Sequence, residues 1–95
     1  MSSSITVSDN MDRQRYDVFV DGAPAGFAVY RDEPGRRVIT HTEIDGRFEG
    51  QGVGGQLARA ALDDVRSRGL GVGPQCPFIR AYIERHPEYA DLVID

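Results

Sequence analysis

The stretch Phe48-Glu49-Gly50-Gln51-Gly52-Val53-Gly54-Gly55 carries the clearest chemical signal in the chain. Four glycines in six positions let a backbone approach a ligand without interference from Cβ atoms. An apolar, β-branched run, Val38 to Ile44, precedes the stretch, and a helical pattern from Gln56 to Arg68 follows it. A strand, a glycine-rich loop and a helix in that order present backbone N–H groups at a helix N-terminus, where they can hold a phosphate. Two further features could do chemistry. His41 and Glu43 share one face of a period-2 strand, with Thr42 and Ile44 on the other. Cys76 precedes Pro77 at a helix start, an N-cap position where the helix dipole lowers a thiol pKa. Cys76 has two readings, a nucleophile relaying an acyl group or a small buried apolar side chain.

The elements that must position these residues follow from periodicity and turn chemistry. Ile5-Thr6-Val7 is short and β-like, and Arg15 to Val20 alternates polar with apolar residues. Asp21-Gly22 reads as a hairpin turn into a strand at Gly26 to Tyr30. Asp32-Glu33-Pro34-Gly35 turns the chain into a fourth strand, Arg37 to Ile44. Short turns predict an antiparallel meander. The period then changes: Val53, Leu57, Ala60, Ala61 and Val65 form a helical stripe, closed by Gly69 as a C′ glycine. Leu70 to Gly73 is a short strand, parallel to the fourth through the crossover. A second helix spans Pro77 to His86, with Phe78, Ile79, Tyr82 and Ile83 as its apolar face; Pro87 ends it and the tail packs back. The expected fold is one α+β domain over residues 1–95, in β-β-β-β-α-β-α order, with a mixed sheet.

Composition narrows the function classes. The 40% hydrophobic and 27% charged content over 95 residues suits an ordinary soluble domain. Net charge is −4, with eleven basic residues, all arginine, scattered among acids. No basic stripe points to nucleic acid. No apolar run reaches membrane-spanning length, and Met1 to Ser4 does not open a leader pattern, so a cytoplasmic location is expected. One cysteine rules out an internal disulfide framework, and no His/Cys/carboxylate spacing argues for a metal.

Three phosphate motifs compete for the loop. A P-loop ends in Gly-Lys-Ser/Thr, and the chain has no lysine. Gly50-x-Gly52-x-x-Gly55 fits the dinucleotide fingerprint, but no acid lies between Leu70 and Gln75, about 20 residues on, and too little chain follows for a wound parallel sheet. The third motif is an acyl-CoA loop, Arg/Gln-x-x-Gly-x-Gly/Ala, whose glycines match Gly52 and Gly54. Together with His41-Thr42-Glu43-Ile44, Cys76-Pro77-Phe78-Ile79 and Tyr82-Ile83-x-x-His86-Pro87, it resembles a short, single-domain branch of the GNAT superfamily of N-acetyltransferases, over roughly residues 5–92. Glu49 departs from the Arg/Gln of that motif. A carboxylate there repels a pyrophosphate, and Arg47 is the nearby cation that could offset it.

The resemblance implies acetyl-CoA as cosubstrate, no metal, and an amine acceptor that the sequence does not name. It implies that Gly50, Gln51, Gly52, Val53, Gly54 and Gly55 hold the pyrophosphate. The backbone of Thr42 to Ile44 would pair with the pantetheine arm in a gap between the fourth and fifth strands. It also implies Glu43 as general base; for Tyr82 as acid toward the departing thiol, the match is one residue out of register. Core packing is the other role open to Tyr82, a solvated surface pair the other for His41 and Glu43, and a helix C-cap the expectation for His86. The rival from another class is a CoA-binding or interaction module without turnover. It gains weight because the chain lacks the extra helices and strands that usually wall a GNAT acceptor pocket, so a partner protein or a homodimer could supply specificity.

Overall fold

The computed structural model describes residues 4–94. Residues 1–3, on which the leader expectation partly rests, and residue 95 lie outside the described residues. Strand β1 (Ile5–Asn10) pairs antiparallel with β2 (Arg15–Val20), β2 with β3 (Ala23–Glu33), and β3 with β4 (Arg36–Ile44). Asp21 and Gly22 both take left-handed φ values, 50° and 84°, as a two-residue hairpin turn matched to strand twist requires. Helix α1 (Val53–Ser67) then crosses over to β5 (Gly71–Pro74), which lies parallel to β4, so the sheet order is β1-β2-β3-β4-β5. Helix α2 (Pro77–Arg85) and a 3-10 stretch, Pro87–Leu92, complete the chain. The β-β-β-β-α-β-α order and the single parallel pair agree with the expected α+β fold.

Both helices cover the same face of the sheet. Tyr16, Val18 and Val20 of β2, Ala28 and Tyr30 of β3, and Ile39 of β4 pack against Leu57, Ala58, Ala61, Leu62 and Val65 of α1 and Ile79 and Ile83 of α2. The seam of α1 therefore runs through Ala58 and Leu62, while Ala60 is only half-buried. Phe78, expected on the apolar face of α2, is 39% exposed. Helix α1 begins at Val53, the first member of the expected apolar stripe and three residues before Gln56, because Val53 is buried and anchors a first turn weakened by Gly54 and Gly55. It closes with Leu70 N–H donating to Val65 O and Gly69 N–H to Arg66 O, a Schellman pair around Gly69. His86 caps α2, its N–H donating to Ile83 O. The tail returns as expected: Tyr89 and Leu92 are buried, and Ile94 N–H donates to Val72 O.

A buried cation ties the sheet to the end of α1. Arg37 is 2% exposed and faces the helices. Its Nε and Nη2 donate to Asp32 at 2.7 and 2.9 Å, and its Nη1 donates to the Tyr16 hydroxyl at 2.8 Å. Its guanidinium lies 3.8 Å from the Tyr30 ring centroid. Tyr16 donates in turn to Asp64 of α1, and Tyr30 to Asp9 of β1. A buried charge costs little only when every polar atom around it is matched, and this one has partners on three other strands and a helix. No helix among the described residues is long and apolar enough to cross a membrane.

Candidate active site

The loop after β4 is built from a local cap. Asp45 accepts the Arg47 N–H at 2.9 Å, starting a 3-10 turn, Gly46–Phe48, and also takes the Arg47 guanidinium at 3.0 and 3.1 Å. Those hydrogen bonds hold the Asp45 carboxyl below the usual carboxylate range. Arg47 is therefore engaged by Asp45 and not by Glu49. The expectation that Arg47 offsets Glu49 is corrected: the turn brings Asp45 within reach of Arg47 and leaves Glu49 exposed at the loop.

Gly52 is the N-cap of α1, at φ 78°. It brings no side chain to the cap, and the first helical bond runs from Gln56 N–H to Gly52 O at 3.1 Å. The N–H groups of Val53, Gly54 and Gly55 precede that bond and have no partner within the helix. They open on a cleft of 330 Å³ that also meets Ile44, Phe48, Glu49 and Phe78. Gly54 lies close to Phe78: a Cβ there would come 2.8 Å from the tip of that ring. Three unpaired N–H groups at a positive helix end match the oxygens of a pyrophosphate, so this donor set fits coenzyme A.

The neighbouring strands separate. β4 and β5 pair only from Arg36–Gly71 to Ile39–Pro74. Pro74 ends β5 and has no N–H to extend the ladder. Cys76 N–H makes the last link, to Ile39 O at 2.9 Å. Beyond it, β4 runs on through Thr42 and Ile44 with no strand of the described residues on that side. Cys76 is the N-cap of α2 and is buried, but its Sγ makes no cap bond; it donates to Thr42 Oγ1 at 3.3 Å. Register explains the meeting: Thr42 pairs with Ala28, whose side chain belongs to the helix-covered core. Thr42, Cys76, Ile44 and the glycine loop thus line one side of the sheet.

Glu43 and His41 lie on the other side, opposite Phe27 and Val29 in the register. Their side chains are exposed, with His41 Nε2 3.2 Å from Glu43 Oε1. A shallow cavity of 560 Å³ lies here, bounded by Arg15, Asp17, Phe19, Phe27, Glu43 and Asp45. The sequence reading missed Phe19 and Phe27; carrying the period-2 phase of β2 and β3 across the sheet is the signal that finds them. Tyr82, on α2, stacks on His86 at 3.9 Å between centroids and faces Gly55 of α1. Burial pushes its phenol up from the ordinary tyrosine value. Among the described residues no cluster of His, Cys, Asp and Glu is grouped to hold a metal.

Comparison with known proteins bears on the fold and the family. Residues 15–92 match a family model described as GCN5-related N-acetyl-transferase. Protein NATD1 of Xenopus tropicalis is 30% identical over 88 residues, covering 90% of this chain and 81% of its own length. Protein NATD1 of Mus musculus is 28% identical over 85 residues, covering 87% and 77%. The solution structure of a GCN5-like protein from Staphylococcus aureus matches with a TM-score of 0.71 at 21% identity, over 94% of this chain and 87% of that one. A ribosomal-protein-alanine N-acetyltransferase from Brucella melitensis matches with a TM-score of 0.63 at 14% identity, over 100% and 93%. The two structural matches share the fold, and the family model covers most of the chain: it belongs to the GCN5-related N-acetyltransferase family.

Proposed function

We propose that the chain binds acetyl-CoA between β4 and α1 and transfers its acetyl group to an amine on the opposite face of the sheet. The observation that carries this reading is the coincidence of two openings. The unpaired N-terminus of α1 and the gap between β4 and β5 adjoin each other, and Thr42 and Cys76 meet inside the gap. Acetyl-CoA brings an acetyl group already activated as a thioester.

The protein's part is binding, orientation and proton handling. The N–H groups of Val53, Gly54 and Gly55, with Gly50, Gln51 and Gly52 shaping the approach, hold the pyrophosphate. The free edge of β4 from Thr42 to Ile44 offers backbone partners to the pantetheine arm. Glu43 takes the proton that an ammonium must lose before its nitrogen can attack. His41, in contact with Glu43, orients that carboxylate. Tyr82 carries its proton at neutral pH as any ordinary phenol does, burial pushes its pKa further up, and that proton is available to the departing sulfur. The Cys76 thiol donates to Thr42. In that pose the pair orders the floor of the gap; an acyl relay through Cys76 requires that hydrogen bond to break first.

The test is thiol release from acetyl-CoA across a panel of primary amines, for the parent, Glu43→Gln and Cys76→Ala. Amine-dependent release that falls at least tenfold in Glu43→Gln supports the transferase. Release abolished in Cys76→Ala, with an acetylated enzyme trapped in the parent, assigns the relay. Binding of acetyl-CoA with no release for any amine overturns the transferase and leaves a CoA-binding module.

A further inference from the structure

The open-face cavity has an unequal charge distribution, and this narrows the acceptor. Three carboxylates border it: Asp17, Glu43 and Asp45. Asp17 has Arg15 Nε at 2.8 Å and accepts Asn10 Nδ2 at 3.0 Å. Asp45 is held by Arg47 at 3.0 Å. Two of the three are therefore neutralised by arginines, which stay charged at any working pH. Among the described residues Glu43 has only His41, at 3.2 Å, and no arginine. The cavity offers one carboxylate to an incoming cation. Its lining is partly aromatic: Phe19 and Phe27 both border it, with the Arg15 guanidinium 4.6 Å and the His41 ring 6.3 Å from the Phe27 centroid. A volume of 560 Å³ is the size of a small-molecule site.

From this we infer, resting on the acetyl-transfer reading above, that the acceptor is a small primary monoamine with an aromatic body. Its ammonium sits at Glu43 and its ring on Phe27 and Phe19. A polyamine finds one unneutralised carboxylate for its several charges. An amino acid places its own carboxylate beside Glu43, where like charges repel. In the transfer, the ammonium first gives one proton to Glu43, the freed nitrogen then bonds to the acetyl carbon, and the second proton that nitrogen sheds balances the one the sulfur takes up. The thioester carbon–sulfur bond breaks, and the sulfur leaves as a thiol after taking up a proton.

The experiment compares kcat/KM for 2-phenylethylamine, ethylamine, spermidine and phenylalanine with acetyl-CoA saturating. A parallel titration maps 2-phenylethylamine onto backbone amide resonances of the acetyl-CoA complex. The inference expects 2-phenylethylamine to exceed ethylamine by on the order of tenfold, the scale of one ring packed against another. It also expects spermidine and phenylalanine to fall below 2-phenylethylamine, and the amides of Phe19, Phe27 and Glu43 to shift. Phe27→Leu, which keeps an apolar side chain in the strand, should bring the ratio of 2-phenylethylamine to ethylamine toward one. A ratio near one in the parent, a preference for spermidine, shifts confined to other residues, or acetylation of lysine-bearing peptides alone would each overturn it. The parent reading fails differently, by no binding of acetyl-CoA or by no thiol release with any amine or peptide.

Discussion

Replacing Gly52 by alanine separates a conformational role from a spatial one within the same loop. Gly52 caps α1 at φ 78°, and a Cβ built on it meets nothing within 4 Å. The obstacle to a side chain is therefore the left-handed backbone itself, which costs an alanine about 1–2 kcal/mol. That strain has two outlets. If the new alanine keeps the left-handed conformation, folding stability falls by about 1–2 kcal/mol and acetyl-CoA affinity is retained. If the loop relaxes, stability recovers, but the N–H groups of Val53 to Gly55 are re-aimed, and up to about tenfold in affinity is lost per 1.4 kcal/mol. The sum of the two losses is set by the strain. Denaturant unfolding of the free protein and isothermal titration with acetyl-CoA measure them separately. Gly54→Ala is the comparison. Gly54 has no positive φ, and its Cβ would meet only the tip of Phe78, a side chain 39% exposed that can swing aside. Alanine also favours the helix by up to about 1 kcal/mol. Gly54→Ala should leave stability unchanged or higher and affinity within about threefold, a shift of under 1 kcal/mol. A summed loss under about 0.5 kcal/mol for Gly52→Ala, or a larger one for Gly54→Ala, refutes the reasoning.

Three further outcomes follow from other parts of the molecule. Glu49→Arg should tighten acetyl-CoA binding by a few fold, about 0.5–1 kcal/mol as for an exposed ion pair, with the gain shrinking in high salt; equal or weaker binding would contradict the placement of Glu49 beside the pyrophosphate. Arg37→Met should cost about 1–3 kcal/mol of stability by removing the hydrogen bonds it gives to Tyr16 and Asp32, while Asp9 keeps Arg68 and Tyr30, and no loss by chemical denaturation would count against the buried-cation account. On acidification the sign is fixed by the same contact. The hydrogen bond from Arg37 holds the Asp32 carboxyl below its ordinary value, so its stabilisation is complete above the usual carboxylate pKa and is lost as pH falls below it. Denaturation midpoints should drop from pH 5 toward pH 3 in the parent and drop less in Asp32→Asn.

Much of the fold was legible because local signals agreed. Alternation in Arg15 to Val20, the Asp21-Gly22 turn, the change of period after Gly55 and the proline after Cys76 each pointed to the element that forms. The open helix terminus of the candidate site was legible for the same reason: a glycine loop between a strand and a helix is a local feature. What escaped the sequence depends on residues far apart in the chain. Arg37 reads as a surface residue of a strand, and its burial follows only when Asp9, Tyr16, Asp32 and Tyr30 arrive from three other strands. Arg47 sits two positions from both Asp45 and Glu49, and only the 3-10 turn decides between them. The open-face cavity needs the strand alternation of β2 and β3 to be carried across the sheet to Glu43, and the pairing shifts between Val18 and Phe19 and between Val29 and Tyr30 are not written in any one strand.

The central claim is that the α1 terminus and the free edge of β4 form one acetyl-CoA site. Titrating acetyl-CoA into the isotopically labelled protein while following backbone amides tests it most directly. The account predicts shifts concentrated in Gly50 to Gln56 and in Thr42 to Ile44. It also predicts a rise in unfolding free energy of about 2.7 kcal/mol when ligand reaches a hundred times its Kd. Millimolar acetyl-CoA that moves neither set of amides and leaves the melting temperature unchanged would contradict it.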